Sequence, residues 1–198
     1  MENQAAPNVE QLIDTIHKLE AEAPDGGPPV VAEGKQDFTR KLINGDLEES
    51  DIPEVMQRAF TRSLLAGVPF SHAFLLLGGK VSVVFQEPDG AEMPLYSRLG
   101  ARLPAGDLEG NNALVMLFFL REVVFREDGR TVSRSPLSPE ECAEMEALDA
   151  AALSEALQLR FAETFRIGAS IMRILPVLWL RFSGAWRFLI QNALPETF

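Results

Sequence analysis

The spacing of hydrophobic positions changes from helical to alternating near the middle of the chain. Residues 60–67, FTRSLLAG, are typical of the end of an amphipathic helix with Gly67 as its stop. Further along, Val81, Val83 and Phe85 alternate with Ser82 and Val84, and Gly78-Gly79 separates them from the apolar run before it. Because glycine tolerates positive φ, the pair predicts a hairpin in which Phe74 and Leu76 lie opposite the second strand.

Helical spacing also predicts elements before this hairpin. Residues 8–22 place five aliphatic side chains on one helical stripe, and Asn8 is a candidate N-cap: Val9, Leu12, Ile13, Ile16 and Leu19. Residues 23–34 contain three Pro and three Gly, which indicates a linker. Ser50 or Asp51 is expected to cap a further helix that reaches Leu65.

A short repeat occurs within this half of the chain. FTRKLING at 38–45 and FTRSLLAG at 60–67 share Phe-Thr-Arg-x-Leu-x-x-Gly, 22 residues apart. The repeat is compatible with a duplicated helix-and-cap unit and equally with two similar amphipathic helices.

The second half alternates between apolar blocks and turn signals. Residues 95–103 fit either a helical turn or a strand. Residues 112–125 are apolar nearly all round, which predicts a buried helix capped by Asn111 or Asn112, or alternatively a buried strand. Asp128-Gly129 predicts a second hairpin turn.

A capping box marks the start of the next helix. Ser138 can accept a hydrogen bond from the amide of Glu141, whose side chain can reach back, and Pro139 suits the first helical position. The helix is predicted to run to about Arg166, with an apolar face formed by Met145, Leu148, Ala152, Leu159 and Ala162. Cys142 is interpreted as a half-buried small residue rather than a nucleophile.

Residues 170–192 predict a basic amphipathic helix that Pro176 should bend or split. Its aromatic side can pack against the helix at 139–166, bind another subunit, or lie on a membrane surface. Together with two hairpin aromatics, its side chains are the candidate partner-binding residues: Phe70, Phe74, Trp179, Phe182, Trp186 and Arg187.

Charge and composition narrow the function classes. The net charge is −11, which disfavours general binding to nucleic acid, since phosphate contacts need clustered Lys and Arg. Residues 1–60 carry 13 acidic and five basic side chains, so the N-terminal end reads as an acidic arm. A single cysteine excludes an intramolecular disulfide, no signal peptide is expected, and no apolar run is long enough to predict a membrane span.

No catalytic motif is found along the chain. The glycine pairs lack the context of a phosphate-binding loop, and the serines lack a nucleophile elbow. His17 and His72 belong to no metal-ligand pattern, so each is interpreted as a structural or surface residue. We therefore expect no enzyme activity, no cofactor, no metal site and no small-molecule substrate.

Two stretches carry a resemblance to a known family. Residues 60–85 contain FxxSLLxG followed by PFxxxFxLxGGKVxVxF, and the last helix carries Leu175-Pro176 before the end LPxxF at 194–198. Over roughly 55–90 and 170–198 this pattern resembles small baseplate-hub and tail-assembly proteins of contractile-tailed bacteriophages. The sequence departs from that family after Phe85, where Gln-Glu-Pro-Asp-Gly follows.

The resemblance implies a non-enzymatic structural component of a phage tail or baseplate, located in the virion and in the host cytoplasm during assembly. Its partners would be other tail or baseplate proteins, with neither nucleic acid nor a membrane. A transient tail-assembly chaperone absent from the virion and a membrane-surface binding module are the alternatives. The expected fold is α+β and mainly helical, with one or two β-hairpins, an extended acidic arm at 1–35 and one domain at 36–198.

Overall fold

The computed structural model describes residues 41–42, 44 and 46–193, which form a mainly helical α+β fold. Six α-helices and one antiparallel sheet make up this part of the chain. The helices are α1 Glu54–Ala66, α2 Glu92–Gly100, α3 Leu108–Phe119, α4 Pro139–Ala147, α5 Ala150–Thr164 and α6 Ala169–Ala193. The strands are β1 Ser71–Leu76, β2 Val81–Gln86, β3 Leu120–Phe125 and β4 Arg130–Ser133. The predicted helix at 8–22 and the linker at 23–34 lie outside the described residues.

Helix α1 ends where the glycine pattern predicts. Gly67 adopts φ 63°, and its N–H bonds to the carbonyls of Leu64 and Ser63. The start of α1 differs from the prediction, because Pro53 occupies the N-cap position without a side-chain cap. Asp51 instead lies in a short 3₁₀ helix before α1. Its carboxylate accepts hydrogen bonds from the Glu48 amide and from the Lys41 ammonium. Of the earlier copy of the repeat, residues 41, 42 and 44 are helical.

The predicted central hairpin is confirmed, with Phe74 and Leu76 opposite the second strand as expected. Leu76 pairs with Val81 and Phe74 with Val83, so the apolar side chains of both strands share the core side. The connection uses three consecutive residues with positive φ: Leu77, Gly78 and Gly79. Two glycines relieve the strain that side chains would meet there.

The strands follow one another as a meander in the order β1-β2-β3-β4, so β1 and β4 are the edges. The Asp128-Gly129 hairpin is confirmed, with Phe125 paired to Arg130 and Gly129 at φ 67°. Arg130 also places its guanidinium 4.0 Å from the centre of the Phe125 ring.

The apolar run at 112–125 forms a helix and a strand rather than one helix. Asp107 is the cap of α3, accepting a bond from Gly110, whereas Asn111 and Asn112 lie inside the helix. Leu120 already has extended backbone and begins β3 without an intervening loop. Both elements are buried on most sides, which is why hydrophobic periodicity gives no boundary between them. The ambiguous residues 95–103 end helix α2 and continue into a turn.

The predicted helix at 138–166 is two helices. The predicted capping box is present. The Ser138 hydroxyl accepts a hydrogen bond from the Glu141 amide, and the Glu141 carboxylate accepts one from the Ser138 amide. Leu148 and Asp149 then leave helical geometry, and Asp149 caps α5 by accepting from Ala152. This break changes the helical phase, so the expected apolar face is wrong in part: Leu159 is exposed, whereas Leu153 and Leu157 are fully buried.

Helix α6 is continuous across Pro176, so the predicted split is wrong. Proline removes one backbone donor, whereas the turns after it are held by burial of Val177, Leu178 and Phe182. Of the three alternatives for its aromatic side, packing within the fold is observed, and the rings of α6 pack on the sheet and on the end of α3. The Phe182 ring lies 5.7 Å from that of Phe85 and the Trp179 ring 4.5 Å from that of Phe119.

Candidate docking surface

The outer side of α1 and the turn after it expose several aliphatic side chains to solvent. The helix buries Met56, Phe60 and Ser63 on its inner side. Its outer side leaves Leu65 86% exposed. Three further aliphatic side chains here are more than half exposed: Val55, Leu64 and Val68. Clustered exposed apolar residues of this kind are typical of protein interfaces.

Two arginines lie between these aliphatic side chains. With 100° of rotation per residue, an arc of about 80° around the helix axis contains four side chains: Val55, Arg58, Arg62 and Leu65. Arg58 pairs with Glu54 in the same helix. Arg62 has no acidic partner among the described residues. We define the docking surface by five residues: Val55, Arg58, Arg62, Leu65 and Val68.

The docking surface continues into a sheet edge. The left-handed cap at Gly67 ends α1, and Val68 and Pro69 lead directly into β1. Within the described residues no strand pairs with the outer edge of β1, and Ser71, Ala73 and Leu75 of that strand are exposed. An unpaired strand edge offers backbone donors and acceptors to a partner.

Two of the six predicted partner-binding residues are core residues. Phe70 and Phe182 are each 0% exposed, and their rings stack 5.2 Å apart with Phe60 edge-on to Phe70 at 5.6 Å. Buried rings of this kind hold α1, the hairpin and α6 together. They cannot contact a partner in this conformation, because other side chains already cover them.

The other four predicted residues are spread over the fold. Phe74 is half-buried and packs edge-on against Phe85 at 6.1 Å. Trp179 and Trp186 are half-buried against Phe119, and the indole N–H of Trp186 has no hydrogen-bond partner among the described residues. Only Arg187 is fully on the surface. The structure therefore does not bring the six residues together as one patch.

Sequence reasoning missed the exposed stripe of α1. The sequence alone predicts an amphipathic helix that ends at Gly67, without saying which of its apolar side chains are exposed. The phase of the helix, fixed by burial of Met56 and Phe60, instead turns Leu65 toward the same side as Arg58. The spacing of Val55, Arg62 and Leu65 could have indicated this stripe, because it places two aliphatic residues on the same helical face as an arginine.

The two side chains best suited to catalysis lie elsewhere and serve packing. Burial lowers the pKa of His72 to about 4, and its ring stands edge-on to Phe74 at 4.7 Å. Burial and the carboxylates of Glu146 and Glu141 raise the pKa of the Cys142 thiol, which opposes formation of a thiolate. At neutral pH the His72 ring is therefore neutral, and the Cys142 thiol stays protonated.

The described residues offer neither a metal-ligand cluster nor a single helix that could span a membrane. Among residues 41–42, 44 and 46–193, no group of three His, Cys, Asp or Glu side chains could hold a metal ion. No single helix of these residues is long and apolar enough to span a membrane. The α5–α6 pair reaches that length and composition only when the two are combined, across a 116° bend.

The chain was compared with protein-family models, with curated proteins and with solved structures, and it matches none of them.

Proposed function

We propose that this protein is a non-enzymatic docking component that binds a neighbouring protein through the docking surface on α1. The observation that carries the proposal is the 86% exposure of Leu65 at the end of a stripe with two arginines. Arginine is enriched at protein interfaces, and their fully buried centres are more apolar than the rest of the protein surface. The edge of β1 next to this stripe adds backbone groups that a partner can pair with.

The resemblance noted in the sequence identifies the setting of this proposal as the tail or baseplate of a contractile-tailed bacteriophage. One of the two resembling stretches, 55–90, contains the whole docking surface and the hairpin behind it. The partner is then another tail or baseplate protein with an apolar stripe and acidic flanks. Those flanks would complement Arg58 and Arg62 and steer encounter.

Complementation tests the docking surface directly. A phage that lacks this gene is supplied with the chain in trans, either unchanged or carrying Leu65→Asp. The matched control is Leu159→Asp, which places the same charge at another exposed leucine, on α5, where Leu159 is 60% exposed. Leu65→Asp should fail to restore infectious particles, whereas the control should restore them. Equal restoration by both variants would contradict a role for this surface.

Mass spectrometry of purified particles tests the structural role. A structural component is retained, so the chain should be found in mature particles at a fixed ratio to the tail proteins. Consistent absence from particles, together with failed complementation by Leu65→Asp, would instead identify a transient assembly factor that uses the same surface.

A further inference from the structure

We propose that two copies of this chain pair through the outer edge of β1, so that their sheets join antiparallel across a two-fold axis at Ala73. The inference deepens the proposed function, because it names a second copy as the partner of this edge and leaves the docking surface on α1 to the neighbouring protein. It rests on that function only in treating the edge as a contact surface. The direction of the backbone groups, their symmetry and the absence of charge carry it.

The direction of the backbone groups in β1 follows from its bonding to β2. The Glu87 amide donates to the Phe70 carbonyl at 2.8 Å, so Phe70 bonds toward β2. In an antiparallel ladder without a bulge, every second residue from Phe70 onward does the same. Ser71, Ala73 and Leu75 therefore direct their N–H and C=O groups toward the outer edge. Within residues 41–42, 44 and 46–193, no strand lies there to receive them.

These three residues are arranged symmetrically about Ala73. When two antiparallel copies of β1 place their Ala73 residues opposite each other, this pair exchanges both of its backbone hydrogen bonds. Ser71 of each copy then exchanges both bonds with Leu75 of the other, so every outward group is paired. The side chain on the axis is small, and Leu75, which is 56% exposed, comes to lie beside a serine. Such a self-complementary contact is what a two-fold dimer requires.

The two edges of the sheet differ in the features that discourage strand pairing. Strand β4 has only four residues and begins with Arg130. Short edge strands and charged side chains are common protection against pairing with another chain. Strand β1 has six residues, SHAFLL, without Lys, Arg, Asp, Glu or Pro. Two copies of a chain with net charge −11 therefore meet at β1 without like charges on the paired strands.

The size of the edge sets the strength of the dimer. Six residues extend over ~20 Å, and a sheet is ~10 Å thick, so strand pairing covers about 200 Å² of each copy. Stable interfaces cover ~800 Å² on each partner. We therefore expect a weak dimer whose fraction rises with protein concentration. It becomes dominant where neighbouring proteins hold two copies side by side, because their effective concentration is then high.

Disulfide trapping in the purified chain tests the register. In a Cys142→Ser background, Ala73→Cys places the thiols of two copies at positions whose Cα atoms lie ~5.5 Å apart, within the reach of a disulfide. The matched control is Thr131→Cys, which puts an exposed thiol on the edge of β4. Ala73→Cys should form the interchain disulfide ~10-fold or more faster than the control, because pairing raises the local thiol concentration. Equal rates would overturn the inference.

Proline at the same two positions tests the hydrogen bonds. Ala73→Pro removes the outward N–H at the centre of β1, whereas the bonds to β2 do not use it. Thr131→Pro is the matched control, because the Arg134 amide donates to the Arg121 carbonyl and alternation turns the Thr131 N–H outward.

Sedimentation velocity over a ~100-fold range of concentration measures the result. The unchanged chain and Thr131→Pro should shift from monomer toward dimer, whereas Ala73→Pro should stay monomeric. A chain that is monomeric at every concentration would overturn the inference, as would equal dimerisation of the two proline variants. None of these measurements uses complementation by Leu65→Asp, so the failure of this inference and of the proposed function can be told apart.

Discussion

Gly184 of α6 lies so close to Leu42 that a Cβ at position 184 would stand 2.3 Å from the Leu42 Cδ1 atom. No real pair of carbon atoms approaches that closely, so one of the two must move if the glycine acquires a side chain. The contact joins the last helix to the first described residues. Glycine in a helix interior is otherwise unfavourable, and this approach explains why α6 has one there.

A double-mutant cycle should reveal this contact. In the Leu42→Ala background, Gly184→Ala should stabilise the fold by about 0.5–1 kcal/mol, because alanine is the better helix former. In the unchanged chain the same substitution should lose this gain or become destabilising, since Leu42 must shift. Urea unfolding of the four proteins measures the coupling. Identical effects in both backgrounds would show that the two residues do not constrain each other.

Gly110→Ala should destabilise the junction of α3 and α5. A Cβ at position 110 would lie 2.2 Å from Oδ2 of Asp107 and 2.6 Å from Oγ of Ser154. Asp107 caps α3 by accepting from the Gly110 amide, and the Ser154 hydroxyl and this amide hold the pKa of Asp107 below its usual range. We expect a loss of about 2 kcal/mol in the free energy of unfolding.

Gly100→Ala is the matched control for that substitution. A Cβ there would meet only Leu114 Cδ2 at 3.4 Å, an ordinary contact. Its urea midpoint should stay near that of the unchanged chain. If the two glycine variants unfold at the same urea concentration, close packing at the α3–α5 junction is not what requires Gly110.

Removing Arg134 should be costly. Its side chain is 7% exposed, pairs with Glu92 at 2.9 Å and donates to the carbonyl of Phe118 at 2.5 Å, tying β4 to α2 and α3. Arg134→Ala leaves a carboxylate and a carbonyl without their donor in a water-poor site, so we expect a loss of about 3 kcal/mol. Arg58→Ala breaks an exposed pair with Glu54 and should change stability by less than about 0.5 kcal/mol. Similar losses for both would contradict this assignment.

Acid should destabilise the fold through His72. Its pKa is lowered from 6.5 to about 4 by burial, so the unfolded chain binds the proton more readily than the folded one. Stability from the neutral ring is present above pH 6.5 and is lost as the pH falls from 6.5 to 4. The loss approaches about 3 kcal/mol at pH 4.

Unfolding in urea at pH 7, 5.5 and 4 measures this dependence. His72→Phe keeps a ring beside Phe74 without a titrating group, so the fall between pH 7 and pH 5.5 should largely disappear. Asp51, whose pKa the Lys41 ammonium lowers, contributes stability that is lost only below its usual range. Below that range it should contribute to the remaining loss together with Asp107, whose pKa is also lowered by hydrogen bonds from Ser154 and Gly110. An unchanged slope in His72→Phe would exclude the histidine as the cause.

Local signals predicted the parts of the fold that depend on backbone chemistry. Gly67, the Gly78-Gly79 pair, Asp128-Gly129 and the Ser138–Glu141 box each form the turn or cap that their residue types favour. Such features need only neighbouring residues, so the sequence suffices to place them. The α+β class and the first hairpin follow from these signals together with the alternation of Val81, Val83 and Phe85.

Features set by long-range packing could not be predicted in this way. The break at Leu148-Asp149 lies within residues that favour helix, and only packing of α5 against α3 fixes the new phase. Likewise, the aromatic residues of α6 were compatible with a core, a partner or a membrane. Their contacts with Phe70 and Phe85, about 100 residues earlier in the chain, decide for the core. The exposed stripe of α1 becomes visible only once the buried side of that helix is known.

No loop residue separates α3 from β3, so the helix and the strand meet directly at Phe119 and Leu120. One extra residue here would rotate α3 by about 100° against the strand or turn every β3 side chain to the other face of the sheet. Val123, fully buried on the core face, would then point outward. Evolution can therefore lengthen or shorten the turns at 101–107 and 126–129, but the spacing between this helix and its strand has to be inherited intact.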